Sequence, residues 1–151
     1  MDKEGIVAAL RSGAKDFNAL RQEHPQVCQD LSGADLSGLD LHGAQMGRLT
    51  LRDVDFSSAD LTGANLSHAD LRHARFKGAK VVGVNLHKAE LAGADFRGAI
   101  LGGFDGDGRI CLNTWMFKGV RWGREELERL LAVLNQNEDW EIRYQIVAKG
   151  R

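Results

Sequence analysis

The sequence predicts an all-β solenoid, a square coil of five-residue units closed by a helical segment at its N-terminus and a helix and strand at its C-terminus. Three observations carry this. From Leu31 to Leu101 every fifth residue is bulky and apolar, fifteen times in succession. At 43% hydrophobic content such a run arises by chance on the order of once in several hundred thousand trials. Two positions before each centre stands a small residue, alanine at 34, 44, 59, 64, 69, 74, 79, 89, 94 and 99, with the larger Leu39, Leu49, Val54 and Val84 interspersed and Gln29 polar. The positions between are polar or glycine. A period of five matches neither a helix nor a strand, so a turn must fall in every unit. Four units close a twenty-residue square, with the bulky residue pointing inward from each side and the small one at each inner corner.

Each element follows from this frame. Residues 1–28 form an N-terminal helical cap. Ile6, Val7 and Leu10 make one apolar stripe, Ser12-Gly13 a break, and Ala14, Phe17 and Leu20 a second stripe that Pro25 ends. Phe17 and Leu20 are the expected lid on the first coil, since an open solenoid otherwise exposes its core and strand edges. Residues 29–122 form the coil, with Leu36, Phe56, Leu61, Phe76 and Phe96 among its core centres and Gly33, Gly38, Gly43, Gly63, Gly78, Gly83, Gly93, Gly98 and Gly103 at turns that need positive φ. Leu112, Phe117 and Trp122 are again five apart. Eleven residues separate Leu101 from Leu112, one more than two units, which places a loop or bulge at 104–109 before the coil resumes; a plain β-hairpin over 108–122 is the other reading. Residues 123–151 form a C-terminal cap. It comprises a helix with the stripe Leu127, Leu130, Leu131, Leu134 and a strand in which Trp140, Ile142, Tyr144 and Ile146 alternate with polar residues.

The units Asp35-Leu36-Ser37-Gly38, Ala59-Asp60-Leu61-Thr62-Gly63 and Ala64-Asn65-Leu66-Ser67 resemble the A(D/N)LXX consensus of the pentapeptide-repeat family. That resemblance implies a right-handed quadrilateral β-helix. It says little about biochemistry, since fold and function separate easily. It also raises dimerisation through C-terminal elements, and one activity of some members: binding DNA gyrase and topoisomerase IV with an acidic, duplex-sized rod.

The composition bears on that activity. Net charge is −1 overall, with −3 over residues 29–107. B-DNA carries one charge per roughly 1.7 Å of axis, so a coil of 20–24 Å would need about twelve net negative charges to imitate it. Residues 29–70 carry seven acids and two bases, residues 71–107 four acids and six bases, so the rod is acidic only toward its N-terminal end. The candidate acidic surface is Asp35, Asp40, Asp55 and Asp60, in the stacked pairs Asp35–Asp55 and Asp40–Asp60. Long projecting loops of the quinolone-protection kind are also missing.

Chemistry is otherwise sparse. Of the five histidines, only His68 and His87 fall near each other in a twenty-residue coil, and no carboxylate or cysteine completes a metal set. Asp105-Gly106-Asp107-Gly108 resembles the start of a calcium loop, but position 116 is Met where a glutamate is needed. No nucleophile–base arrangement or phosphate loop is present. Cys28 and Cys111 read as reduced thiols in a cytoplasmic protein. No signal peptide and no apolar stretch of membrane-spanning length is evident. The expectation is a non-enzymatic protein-interaction or scaffold protein without cofactor, metal, membrane contact or direct nucleic-acid binding; the alternative is a DNA-mimicking topoisomerase modulator. The candidate partner surface is Val82, Ile100, Leu127 and Leu131. Val82 and Ile100 break the polar rule on the outside of the coil, and the leucines offer a matching stripe. The chain's own tail, a second copy or a foreign protein are the three occupants such a patch admits.

Overall fold

The computed structural model describes residues 2–26, 29–102 and 120–128. Two helices lead into the coil: α1 (Lys3–Ser12) and α2 (Ala14–Glu23). The Asp2 side chain caps α1 by accepting from Gly5 N–H at 3.0 Å. Gly13, at φ 129°, makes the sharp break between the helices. Ile6, Leu10 and Phe17 are fully buried against the first coil, and Leu20 packs beside them.

From residue 30 onward each unit pairs in parallel with the unit twenty residues further on: Asp35 with Asp55, Asp55 with Arg75, Asp40 with Asp60, Asn65 with Asn85. Twenty residues per turn in units of five is a four-sided coil. Within a unit the centre's N–H donates to the next coil (Phe56 to Arg75 C=O, 2.8 Å), and the next coil returns a bond (Lys80 N–H to Ala59 C=O, 2.9 Å). The corner is closed by a bond across four residues, such as Ala64 N–H to Leu61 C=O at 2.9 Å. Its third residue sits in the left-handed region, as a type II turn requires. The longest regular pairing is between β1 (Lys80–Val82) and β2 (Ile100–Gly102), with Val81 opposite Leu101.

The interior is a stack of identical layers. Leu36, Phe56, Leu61, Phe76 and Phe96 lie inside at 0–1% exposure, with the alanines filling the inner corners. Aromatic rings form a ladder along one side. Phe56 stacks on Phe76 (centroids 5.2 Å), Phe76 on Phe96 (4.3 Å) and Phe96 on Trp122 (4.8 Å).

That last rung corrects the expected register. One extra residue after Leu101 would have set Phe117 over Phe96. Instead Trp122 lies there and Arg121 pairs with Asp95, an interval of 26 residues where a regular turn takes 20. The detour is longer by a whole unit, which a count of spacing alone cannot distinguish because it leaves Trp122 in phase. Leu112, Phe117 and the loop at 104–109 lie outside the described residues, as do both cysteines, Leu131 and the C-terminal strand.

Candidate interaction surface

Both ends of the described coil are closed by side chains that replace a missing neighbour coil. At the N-terminal end, Asn18 of α2 donates to Gly43 C=O (3.1 Å) and accepts Gln45 N–H (2.8 Å). Arg21 donates to the carbonyls of Gln45 (2.5 Å) and Gly47 (3.2 Å), and Lys3 to that of Ser32. At the other end the Glu126 carboxylate accepts Gly98 N–H at 3.1 Å. The carbonyl in that register belongs to Gly123, which accepts Leu127 N–H instead (3.1 Å) as a helical turn forms over 124–128. Glu126 thus stands in for a fifth coil's backbone and is itself buried. A Cβ at Gly123 would meet the Glu126 carboxylate, so a larger residue there would have to displace that side chain.

The outward acids have a structural role that the spacing did not show. The Asp or Asn before each centre folds its side-chain oxygen back onto the N–H two residues on: Asp35 to Ser37 (3.0 Å), Asp40 to His42 (3.1 Å), Asp55 to Ser57 (2.8 Å), Asp60 to Thr62 (3.0 Å), Asn65 to Ser67 (3.0 Å). This is an Asx turn, and it gives a physical reason for D/N in the repeat. Ion pairs then take up much of the remaining capacity. Asp55 meets Arg75 (3.2 Å), Asp60 meets Lys80 (3.0 Å), Asp95 meets Arg97 (2.5 Å), and Asp70 bridges Arg52 and Arg72. The side-chain hydrogen bond from Thr62, with that from Lys80, holds the Asp60 carboxyl at a pKa of about 2. Asp35 is held below the ordinary carboxylate range chiefly by Ser37. The four candidate acids therefore do not form one free acidic face: Asp35 and Asp55 lie on one side, Asp40 and Asp60 on the next, and Arg75 and Lys80 continue those columns.

The apolar candidates are placed diagonally. Ile100 pairs with Lys80 and is 48% exposed, the exposed large hydrophobic residue of the described surface; Val82, opposite Gly102, is half-buried. Leu127 is half-buried in the terminal helical turn. A cleft of about 460 Å³ lies between α1 and the first coil, lined by Lys3, Glu4, Arg11 and Asp35 among others. Another, of about 270 Å³, is lined by Lys77, Asp95, Arg97 and Gly98. Among the described residues no group of three or more His, Cys, Asp or Glu side chains is placed to hold a metal ion, and no helix is long and apolar enough to cross a membrane.

The fold and its surface define a β-solenoid whose outward side chains are sorted by side. Residues 50–87 and 64–103 match the family model of pentapeptide repeats, in eight copies. The chain therefore carries the pentapeptide repeats of that family, laid out as a four-sided parallel coil. It is similar to HetL, a pentapeptide-repeat protein of Nostoc sp. strain PCC 7120 involved in heterocyst differentiation regulation (29% identity, 61% of this chain and 38% of that one, TM-score 0.47). It is also similar to a pentapeptide-repeat protein of the Arabidopsis thaliana thylakoid lumen (35% identity, 61% and 60%, TM-score 0.28). A third similar structure is QnrB1, a plasmid-mediated fluoroquinolone resistance protein (22% identity, 70% and 65%, TM-score 0.23). The chain thus spans well under half of HetL's length. No curated protein matches the sequence.

Proposed function

We propose that this chain is a non-enzymatic, cytoplasmic protein-interaction or scaffold module. The observation that supports it is the division of labour on the surface. Hydrogen bonds between coils and the turn-capping acids fix a stiff frame, while the outward residues differ in charge and polarity from one side to the next. A frame that presents side-specific rows of groups suits recognition of another macromolecule. Neither described cleft gathers a nucleophile, a base and an orienting group. The exposed Ile100 and half-buried Val82 supply an apolar contact for a partner, a second copy or the chain's own tail.

The DNA-mimicking reading draws less support. Its acids are drawn into Asx turns and cationic partners, and their columns turn basic within two coils. Affinity capture from the native cytoplasm, beside a supercoiling assay on purified gyrase, separates the two. Specific co-purifying proteins without any effect on supercoiling are expected. Inhibition or quinolone protection at near-stoichiometric protein would reverse the ranking. Light scattering on wild type and Val82→Lys/Ile100→Lys tests the apolar contact: a wild-type dimer that the double variant turns into a folded monomer identifies an interface.

A further inference from the structure

One side of the coil differs from the other three. It comprises residues 45–49, 65–69 and 85–89 and contains no acid at all. Where each of the other sides carries an acid before at least two centres, this one carries the neutral Gln45, Asn65 and Asn85, of which Asn65 and Asn85 keep the turn bond by accepting Ser67 N–H and His87 N–H, both at 3.0 Å. Its corners carry Arg48, His68 and Lys88, stacked one per coil, with His87 beside them at 5.6 Å from the His68 ring. None of these four side chains takes part in an ion pair among the described residues, whereas Arg52, Arg72, Arg75, Lys80, Arg97 and Arg121 on the other sides all do. Arg21, bonded to Gln45 and Gly47 carbonyls, extends the row toward the N-terminus.

The backbone adds a second, independent observation. Arg48, His68 and Lys88 lie at φ 63°, 58° and 56°, a conformation that glycine adopts without penalty and other residues do not. The adjacent side uses Gly43, Gly63 and Gly83 at the same corners. Asp53, Ser58 and His73 share that conformation at some corners of the other two sides, but only here does every described corner carry a non-glycine residue in spite of the strain.

We infer that this cationic side is a docking site for the acidic face of an α-helix in a partner protein. The inference rests on the interaction-module reading and names the partner's chemistry. The spacing fits. Three successive coils set the corners about 4.8 Å apart, so the row spans about 10 Å. Acidic residues at i, i+4 and i+7 of a helix lie on one face and span about 10.5 Å. The amides of Gln45, Asn65 and Asn85 flank the row, Asn65 donating to Gln45 at 3.1 Å, and no acid of this side competes for the cations.

Docking should tighten at mildly acidic pH. His68 faces Arg48, His87 and Lys88, and desolvation, then Lys88, Arg48 and His87, hold its pKa below the ordinary histidine value. It is neutral at pH 8, and carboxylates opposite would raise its pKa, so binding takes up protons. One further exposed pair, at His68, tightens binding by up to about fivefold between pH 8 and pH 6.

The test uses the full-length protein and a synthetic helical peptide with glutamates at i, i+4, i+7 and i+11, against an isomer of the same composition with its glutamates spread around the helix. Fluorescence anisotropy should show the one-faced peptide binding at least fivefold more tightly than the isomer, and more tightly at pH 6 than at pH 8. Arg48→Asn/Lys88→Asn should lose at least tenfold while remaining folded, because asparagine tolerates positive φ. Lys77→Asn on another side should change nothing. Equal binding of the two peptides, an equal loss in Lys77→Asn, or tighter binding of single-stranded DNA or polyphosphate than of the one-faced peptide overturns the proposal. If wild type and Arg48→Asn/Lys88→Asn also capture the same proteins from extract, the interaction reading stands and this site alone fails.

Discussion

Replacing Asp60 distinguishes an acid that shapes the chain from one that decorates it. Its carboxylate accepts Thr62 N–H (3.0 Å) and the Thr62 hydroxyl (2.5 Å), and pairs with Lys80 (3.0 Å) one coil on. Asn at this position keeps an oxygen for the turn and loses the ion pair, a partly exposed contact worth about 0.2–1 kcal/mol. Ala loses both, and the turn bond resembles an N-cap, whose removal costs about 1 kcal/mol with a range of roughly 0.5–2. Urea denaturation followed by circular dichroism should therefore rank wild type above Asp60→Asn and Asp60→Asn above Asp60→Ala, the second step being the larger. The pH dependence has a definite sign. The folded pKa of about 2 lies below the unfolded value, so this contribution is present above about pH 4 and is lost as pH falls through 2. Asp60→Asn should show a shallower loss of stability over that window. Equal destabilisation by Asn and Ala, with Lys80→Gln matching both, would show that charge and not the turn matters here.

Three other outcomes are expected. Phe76→Ala removes the middle ring of the Phe56–Phe76–Phe96 stack and should cost about 3–5 kcal/mol in chemical denaturation, while Lys77→Ala, the next residue and exposed, should stay within about 0.5 kcal/mol. Ser58→Gly relieves a positive φ of 60° and should raise Tm, consistent with roughly 0.5–1 kcal/mol; a lower Tm would show that the Ser58 side chain packs favourably against Gly78. Glu126→Ala unties the terminal turn from Gly98 and should speed hydrogen exchange of the Gly98 amide at least tenfold, leaving that of Phe56 unchanged.

The buried layers were legible because a period of five leaves one inward position per unit, and apolar bulk at that position cannot face water. The two helices were legible from their stripes and the Ser12-Gly13 break. Other features were hidden for physical reasons. Asp35 and Asp60 read as surface charge, since sequence does not show that a carboxylate curls back onto its own turn. The positive φ of Arg48, His68 and Lys88 could not be read from residue type, because only glycine announces that conformation. It was recoverable from phase alone: these residues stand where Gly43, Gly63 and Gly83 stand one unit earlier. The sorting of charge by side was hidden by summing along the chain, which reported an axial gradient; summing every fourth unit would have exposed the acid-free side. The register of Trp122 failed because detours of one residue and of six leave it in the same phase.

The 26-residue interval between Phe96 and Trp122 bears on how such a chain can acquire new parts. Lengthening a 20-residue closure to 26 residues costs only about 0.2 kcal/mol more in chain entropy, because the penalty grows with the logarithm of length. The Phe96–Trp122 stack and the Asp95–Arg121 pairing hold the coil's register across that interval. A solenoid of this kind is therefore permissive to added length: an interval of 26 residues in place of 20 still sets the next ring in register. Variation in the length and content of such detours, at fixed ring stacking, is an inexpensive evolutionary route to new specificity that leaves the folding of the remaining turns untouched.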